Sequence, residues 1–412
     1  MLFAGARKRG ESIRAWHKAV ERTKGRSGFQ PEKYYPIKQN IGRSSVMSKT
    51  MLFSPGPVMV REDVRQTLTH YDICHRSPEF EEMFADTQEK ILRLFGADQS
   101  YYSVIVSGSG TSANETCLSS LFREGEAVLA IHNGMFGERL IEIIDKYRVP
   151  MVDCGFPWSV YPDVKRIDEL LAAHPEVKVV AMVFHETSTG MINPVHEVGR
   201  LCEKHGKLLF VDCVSAGGGE FIDVVGNNIA VCTSVGGKCL GAFPGSAYVC
   251  ARKSLFESLT AQQCKNVYLS LYKHYQSAVS SRQTPNTPNV NLFWPLNRAL
   301  TNLLETETLA GRIERYRRCA SIIREGLRVM GLRMLLDEHL SNTVTSVFLP
   351  GGVDAAAFIA AMEKKGYTFY IGKGDYAKQG MIQVANMGEI YERDCRGMLD
   401  AFRATLAEMG GS

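Results

Sequence analysis

The sequence has no apolar run approaching the roughly 20 residues needed to span a bilayer, so no membrane helix is expected. It has eleven cysteines but no CxxC pair and no Cys/His spacing of the kind that holds zinc. Cys154, Cys213, Cys232 and Cys250 sit inside apolar runs, which marks them as small buried thiols of a reducing compartment. No metal is expected. Neither a Gly-Lys-Ser/Thr phosphate loop nor GxGxxG is present, which argues against nucleotide-binding enzymes of those kinds. Internal repeats and low-complexity segments are absent too.

Acidic residues are scarce at the start. Residues 1–49 hold twelve Lys/Arg against three Glu, a net of +9, so the rest sums to −5 within a total of +4. A mitochondrial-type presequence has this composition. So does a solvated basic arm, or a tail ahead of a start at Met47 or Met51. No recognition module follows, so nucleic acid is not an expected partner. A cytoplasmic location is expected, with mitochondrial import as the alternative.

What is present is an ordinary globular composition, 45% hydrophobic and 22% charged over 412 residues. That length allows one large domain and a smaller one, with a core able to bury a cofactor without disulfides. Strand-like runs alternate with helical stretches from "MLFSPGPVMVREDV" onward: "SVIVS" (103–107), "AVLAIH" (127–132), "PMVDCGF" (150–156), "VVAMVFHE" (179–186), "KLLFVDC" (207–213), "AVCTSV" (230–235) and "SAYVCAR" (246–252). Alternation with near-continuous apolar strands predicts an α/β fold around a seven-stranded, mostly parallel sheet, the last strand returning as a hairpin. After Thr301 a long charged helix leads into a β-α-β-β-α pattern. The predicted organisation is a basic extension (1–49), a large domain (50–300) and a small α/β domain (301–412).

Ligands of such sheets bind beyond the carboxyl ends of the strands. Four features lie there. "SGSGTSANE" (107–115) offers backbone N–H groups and hydroxyls at a helix start, a phosphate cradle or a plain capping turn. "NGMFGER" sets Phe136 between glycines, a core aromatic or a ring stacked on a flat ligand. Asp212 ends an apolar strand, where a carboxylate is costly unless paired; a helix cap or an ion pair is the bland account. Lys238, 26 residues further on, is the one charge in "IAVCTSVGGKCLGAFPGSAYVC". A buried amine has a lowered pKa and becomes a nucleophile toward carbonyls. Amine, carboxylate, phosphate cradle and stacking ring together are what pyridoxal 5′-phosphate requires.

From about Met51 onward the sequence resembles the class V aminotransferases of pyridoxal-phosphate fold type I. Within them it is most similar to 2-aminoethylphosphonate–pyruvate transaminases, with alanine–glyoxylate aminotransferases as relatives. The matching stretches are "SPGP", "SGSGT", "NGMFGER", "HETSTG", "VDCVSAGGG", "GGKCLGAFPG" and "NMGEI". The resemblance implies that Lys238 forms the Schiff base and Asp212 pairs with the pyridine nitrogen. It implies that Phe136 stacks on the ring, that Ser109, Gly110 and Thr111 form the phosphate cup, and that Ser188 bonds the ring hydroxyl. "RQTPNTPNV" matches a segment reaching the neighbouring subunit's phosphate, through Thr287 or, failing that, Thr284. A homodimer with shared active sites follows. Gly56 would line the substrate pocket.

One position departs from the family pattern. Relatives carry an arginine that grips the substrate's anionic group where this chain has Gln383 in "MIQVANMGEI". A neutral amide replaces a charged fork. Arg76 and Lys373 are the candidate substitutes, and Gly237 replaces a side chain able to reach the phosphate. The expected activity is transfer of an amino group from a small amine, best 2-aminoethylphosphonate, to a 2-oxo acid such as pyruvate. The alternatives are another amine or lyase/decarboxylase chemistry on the same scaffold, or a non-catalytic binding module.

Overall fold

The computed structural model describes residues 50–410; the basic segment 1–49, with the expectations placed on it, lies outside the described residues. A short strand, β1 (Met51–Leu52), opens the described chain. Four strands follow: β2 (Tyr101–Gly108), β3 (Ala127–His132), β4 (Met151–Gly155) and β5 (Val177–Val183). A small hairpin, β6 (His185–Glu186) and β7 (Met191–Ile192), leaves the end of β5. Three more strands, β8 (Leu208–Asp212), β9 (Val231–Val235) and β10 (Gly245–Arg252), complete a seven-stranded sheet of order β2-β10-β9-β8-β5-β3-β4.

β10 runs antiparallel to both neighbours, and all other pairs are parallel. The hairpin return expected from the short last connection is therefore the β9–β10 turn. The sequence predicts one strand over 179–186, but it breaks at Phe184. Asn193 donates its side-chain amide to Val183 O (2.9 Å) and its backbone N–H to Phe184 O (2.9 Å). Those carbonyls are thereby drawn off the ladder, and β6 turns away.

Helices cover the sheet because their sequences supply one apolar stripe each. In Pro78–Leu94, Ser77 caps the first turn by accepting from Phe80 N, and Pro78 occupies a position where no N–H is needed. Phe80, Met83, Phe84, Ile91 and Leu94 then recur at helical spacing and are buried.

The C-terminal region has its own core. The helix Leu309–Val329 precedes β11 (Val344–Phe348), β12 (Tyr367–Thr368), β13 (Tyr370–Ile371) and β14 (Met381–Ala385). Strands β11-β14-β13 form an antiparallel sheet. "YTFYIG", predicted as one strand, is divided: β12 pairs with β1 and β13 with β14. Phe53 and Met59, expected in the large domain, pack instead with Phe358, Phe402 and Val384 of this second core. The β1–β12 pairing and the bonds from Ala385 N to Phe53 O (2.9 Å) and from Glu389 N to Met59 O (2.9 Å) hold them there.

All eleven cysteines are free, most of them buried. Among the described residues no helix is long and apolar enough to cross a membrane.

Tyr316, fully buried on the long helix, connects the two regions. Its hydroxyl donates to Cys239 O (2.8 Å), next to Lys238, and accepts from Gly388 N (2.9 Å). Tyr316→Phe leaves Gly388 N unpaired in the interior, while Cys239 O keeps only the longer bond from Arg312 Nη1 (3.2 Å). It should lower stability by about 1–3 kcal/mol, read as a reduced urea midpoint at unchanged slope.

Candidate active site

The cradle after β2 is a helix start. Ser109 is the N-cap of Gly110–Leu118, yet its hydroxyl makes no capping bond. Ser112 N and Ala113 N already donate to Ser109 O. The N–H groups of Gly110 and Thr111 come before the first intrahelical bonds and are free for an anion. A Cβ at Gly110 would lie 2.5 Å from the Val214 side chain, so only glycine lets this helix approach the loop after β8.

The helix Met135–Lys146 after β3 is fixed by a residue absent from the predicted site. The buried Glu186 carboxylate accepts from Phe136 N (3.3 Å), Gly137 N (3.0 Å), Ser188 N (3.2 Å) and the Ser188 hydroxyl. Burial pushes the Glu186 carboxyl up, and these bonds oppose it. The half-buried Phe136 ring is thereby presented to the cavity.

Asp212 ends β8. Its carboxylate accepts from Val214 N (2.8 Å) and the Asn114 side-chain amide (2.6 Å). Asn114 in turn accepts from the Thr233 hydroxyl. Burial raises the Asp212 pKa, while these bonds and the charges of Arg139 and Lys238 resist the rise. Lys238 lies in the β9–β10 turn, and its amine donates to Pro55 O. Burial holds that amine below the ordinary lysine value; Cys239 and Asp212 work against the shift, Arg139 and Lys373 with it. Gly56 abuts the lysine closely: at φ +120°, a Cβ there would lie 2.7 Å from Lys238 Nζ.

These groups surround one cavity of about 270 Å³, lined by Gly56, Ser109, Gly110, Thr111, Phe136, Asp212, Gly237 and Lys238, and by Asn114 and Arg139. A larger cavity, about 610 Å³, opens beside Arg333 and Phe348, and none of these groups lines it. A flat ring bearing a phosphate fits the smaller one: unpaired helix N–H groups, a buried carboxylate, a half-buried amine and an aromatic face.

Other predicted residues stand elsewhere. The Ser188 hydroxyl is committed to Glu186 and accepts from Met135 N (3.1 Å). Gln383 is buried, and its amide nitrogen donates to Thr187 O (2.6 Å) and Ser188 O (3.2 Å). It ties β14 to the HETSTG turn and lies outside the cavity lining. Thr287 is exposed, 3.5 Å from His75 Nε2, whereas Thr284 is buried and donates to Asn286 O (2.7 Å). Arg76 is committed to Gln283 Oε1 (2.6 Å) and Thr284 O (2.9 Å). Lys373 lies 5.4 Å from the Tyr370 ring centroid.

Asn114, Arg139 and Glu186 escaped the sequence reading. Glu186 was accessible to the logic applied to Asp212, a carboxylate closing an apolar strand. Arg139 stands three residues after Phe136, on the same helix face.

Two measurements test this geometry. Gln383→Leu leaves the Thr187 and Ser188 carbonyls unpaired and should cost about 1–3 kcal/mol, seen by denaturant titration. Because the folded-state pKa of Lys238 lies below its ordinary 10.5, the unfolded chain binds more protons between the two values. The stability of cofactor-free protein should therefore rise with pH across that window, and Lys238→Met should abolish this part of the rise.

The model of the family "Aminotransferase class-V" matches residues 52–375. An uncharacterised aminotransferase of Methanocaldococcus jannaschii is 32% identical over 365 residues, 88% of this chain and 94% of that protein. A 2-aminoethylphosphonate–pyruvate transaminase of Salmonella schwarzengrund is 30% identical over 366 residues, covering 86% and 97%. The crystal structure of an alanine–glyoxylate aminotransferase from Nostoc superposes with a TM-score of 0.82 at 26% identity, covering 87% and 95%. The chain belongs to the class V aminotransferases and is a pyridoxal 5′-phosphate-dependent transaminase of fold type I.

Proposed function

We propose that this protein transfers the amino group of a small aminoalkylphosphonate, 2-aminoethylphosphonate as the first choice, to pyruvate or a similar 2-oxo acid. The observation that carries the reading is the presence of a half-buried amine, Lys238, and a buried carboxylate, Asp212, on the wall of one cavity. The choice of donor is supported by the relative of that name. When bound, the cofactor supplies an aldehyde for amine exchange and a ring that accepts electrons.

The protein's own residues do the rest. Burial keeps the Lys238 amine readily deprotonated, so it can take a proton at Nζ and return it. Asp212, held by Asn114 and Val214, would keep a proton on the ring nitrogen. Ser109, Gly110 and Thr111 would hold the phosphate, and Phe136 would cover one ring face. Thr287, exposed on its loop, would serve the neighbouring subunit's cofactor in a homodimer with shared sites.

A second reading is favoured by Gln383, whose amide is committed to backbone: an amine lacking the usual anion, or lyase or decarboxylase chemistry.

Purified protein should show a visible band that borohydride abolishes, leaving the label on Lys238. 2-Aminoethylphosphonate should bleach the band and pyruvate should restore it. Product release without bleaching would establish the lyase or decarboxylase form of the second reading, and bleaching only by amines without a phosphonate its other form; a colourless protein indifferent to added cofactor would refute both.

A further inference from the structure

We infer that Arg139 and Lys373 together form the receptor for the substrate's phosphonate group, and that Gln383 is a positioning residue rather than a ligand of the substrate. This rests on the aminotransferase reading above and names how that site recognises its donor.

Among the described residues, few cations near the cavity are free. Lys238 is reserved for chemistry, and Arg76 is held by Gln283 and the Thr284 carbonyl. The Gln383 amide donates to the Thr187 and Ser188 carbonyls of the HETSTG turn and to Ser346 Oγ (3.3 Å), so its donors are already committed.

Arg139 lines the cavity and is half-buried. Its guanidinium lies 4.9 Å from the Phe136 ring centroid and, among the described residues, makes no ion pair or hydrogen bond. The carboxylates that could have neutralised it are engaged elsewhere. Glu138 accepts from Trp158 Nε1 (2.6 Å), Glu186 caps the Phe136 helix, and Asp212 is held by Asn114 and Val214.

Lys373 comes from the other side, on the turn after β13. Among the described residues it too has no carboxylate partner, only the Tyr370 ring. It is braced at both ends. Tyr370 OH donates to Gly56 O (2.8 Å), on the cavity wall against Lys238. Tyr376 OH bonds Ser159 Oγ (2.8 Å) and Trp158 O (3.2 Å), and Gly374 lies against the Trp158 ring. These contacts carry the turn across from the C-terminal sheet to the site. Arg139 lines the cavity itself, whereas Lys373 stands outside the lining, its turn tied to the cavity wall beside Lys238 through the Tyr370–Gly56 bond.

An unpaired, partly desolvated cation is unfavourable until an anion joins it. Two of them, one a planar fork and one a point charge, suit a tetrahedral dianion better than a carboxylate.

The test uses cofactor-loaded enzyme and methylphosphonate, which has the anion but no amine. Wild type should bind methylphosphonate in preference to acetate. Arg139→Met and Lys373→Met should each weaken that binding by about tenfold or more, as expected for loss of a charge-assisted contact. Each should raise KM for 2-aminoethylphosphonate with little change in kcat, and leave the visible band intact. Arg139→Lys should recover part of the affinity and stands in if the Met variant fails to fold. Unchanged methylphosphonate affinity in both variants overturns the proposal, as does wild-type enzyme that prefers acetate. Loss of cofactor affinity in Arg139→Met, with anion binding intact, also overturns it. Failure of wild type to bleach with any amine strikes the aminotransferase reading itself.

Discussion

Four hydrogen-bond donors converge on the Glu186 carboxylate, which sits out of water. A buried carboxylate without such partners would be prohibitive, and with them it becomes a fixed joint. It sets the start of the helix Met135–Lys146, and with it both Phe136 and Arg139. It also shapes the HETSTG turn, whose backbone carbonyls receive Gln383. The aromatic wall of the cavity, its free cation and its tie to the C-terminal sheet thus depend on one side chain.

Lys238 is held in a comparable way, by pieces distant in sequence. Pro55 and Gly56 approach from the start of the described chain, and Tyr316 grips the adjacent carbonyl from the long helix. Tyr370 secures Gly56 from the small sheet. The reactive amine therefore stands where three segments meet, and each restrains it without neutralising it.

The parts of this arrangement readable from sequence were those announced by local contrast. Asp212 stood out as a charge closing an apolar strand and Lys238 as the one charge between two such strands, and the strand–helix alternation gave the sheet. The commitments of Ser188 and Gln383 were hidden for a different reason. A hydroxyl or amide in a familiar motif looks available, but its commitment depends on which backbone groups the fold brings within 3 Å or so. Arg139 and Lys373 were visible as letters. That neither has a carboxylate partner is a property of the folded arrangement, since Glu138 lies beside Arg139 in sequence and is drawn off by Trp158. The breaks in the strands at Phe184 and within "YTFYIG" likewise follow from long-range competition for backbone groups.

The reversed direction of β10 sets where this architecture can vary. Gly245, at its start, pairs with Gly108 at the end of β2, and Ala247 pairs with Val235 at the end of β9. The lysine turn thus begins and ends at the functional rim, beside the phosphate cradle. A parallel strand in that slot would have needed a crossover, placing one end of the connection at the far rim. Added or deleted residues between 236 and 244 would act on the cavity directly, whereas the turns at the far rim, such as that before β3, can drift in length without reaching it. Divergence in this scaffold is channelled to one side of the sheet.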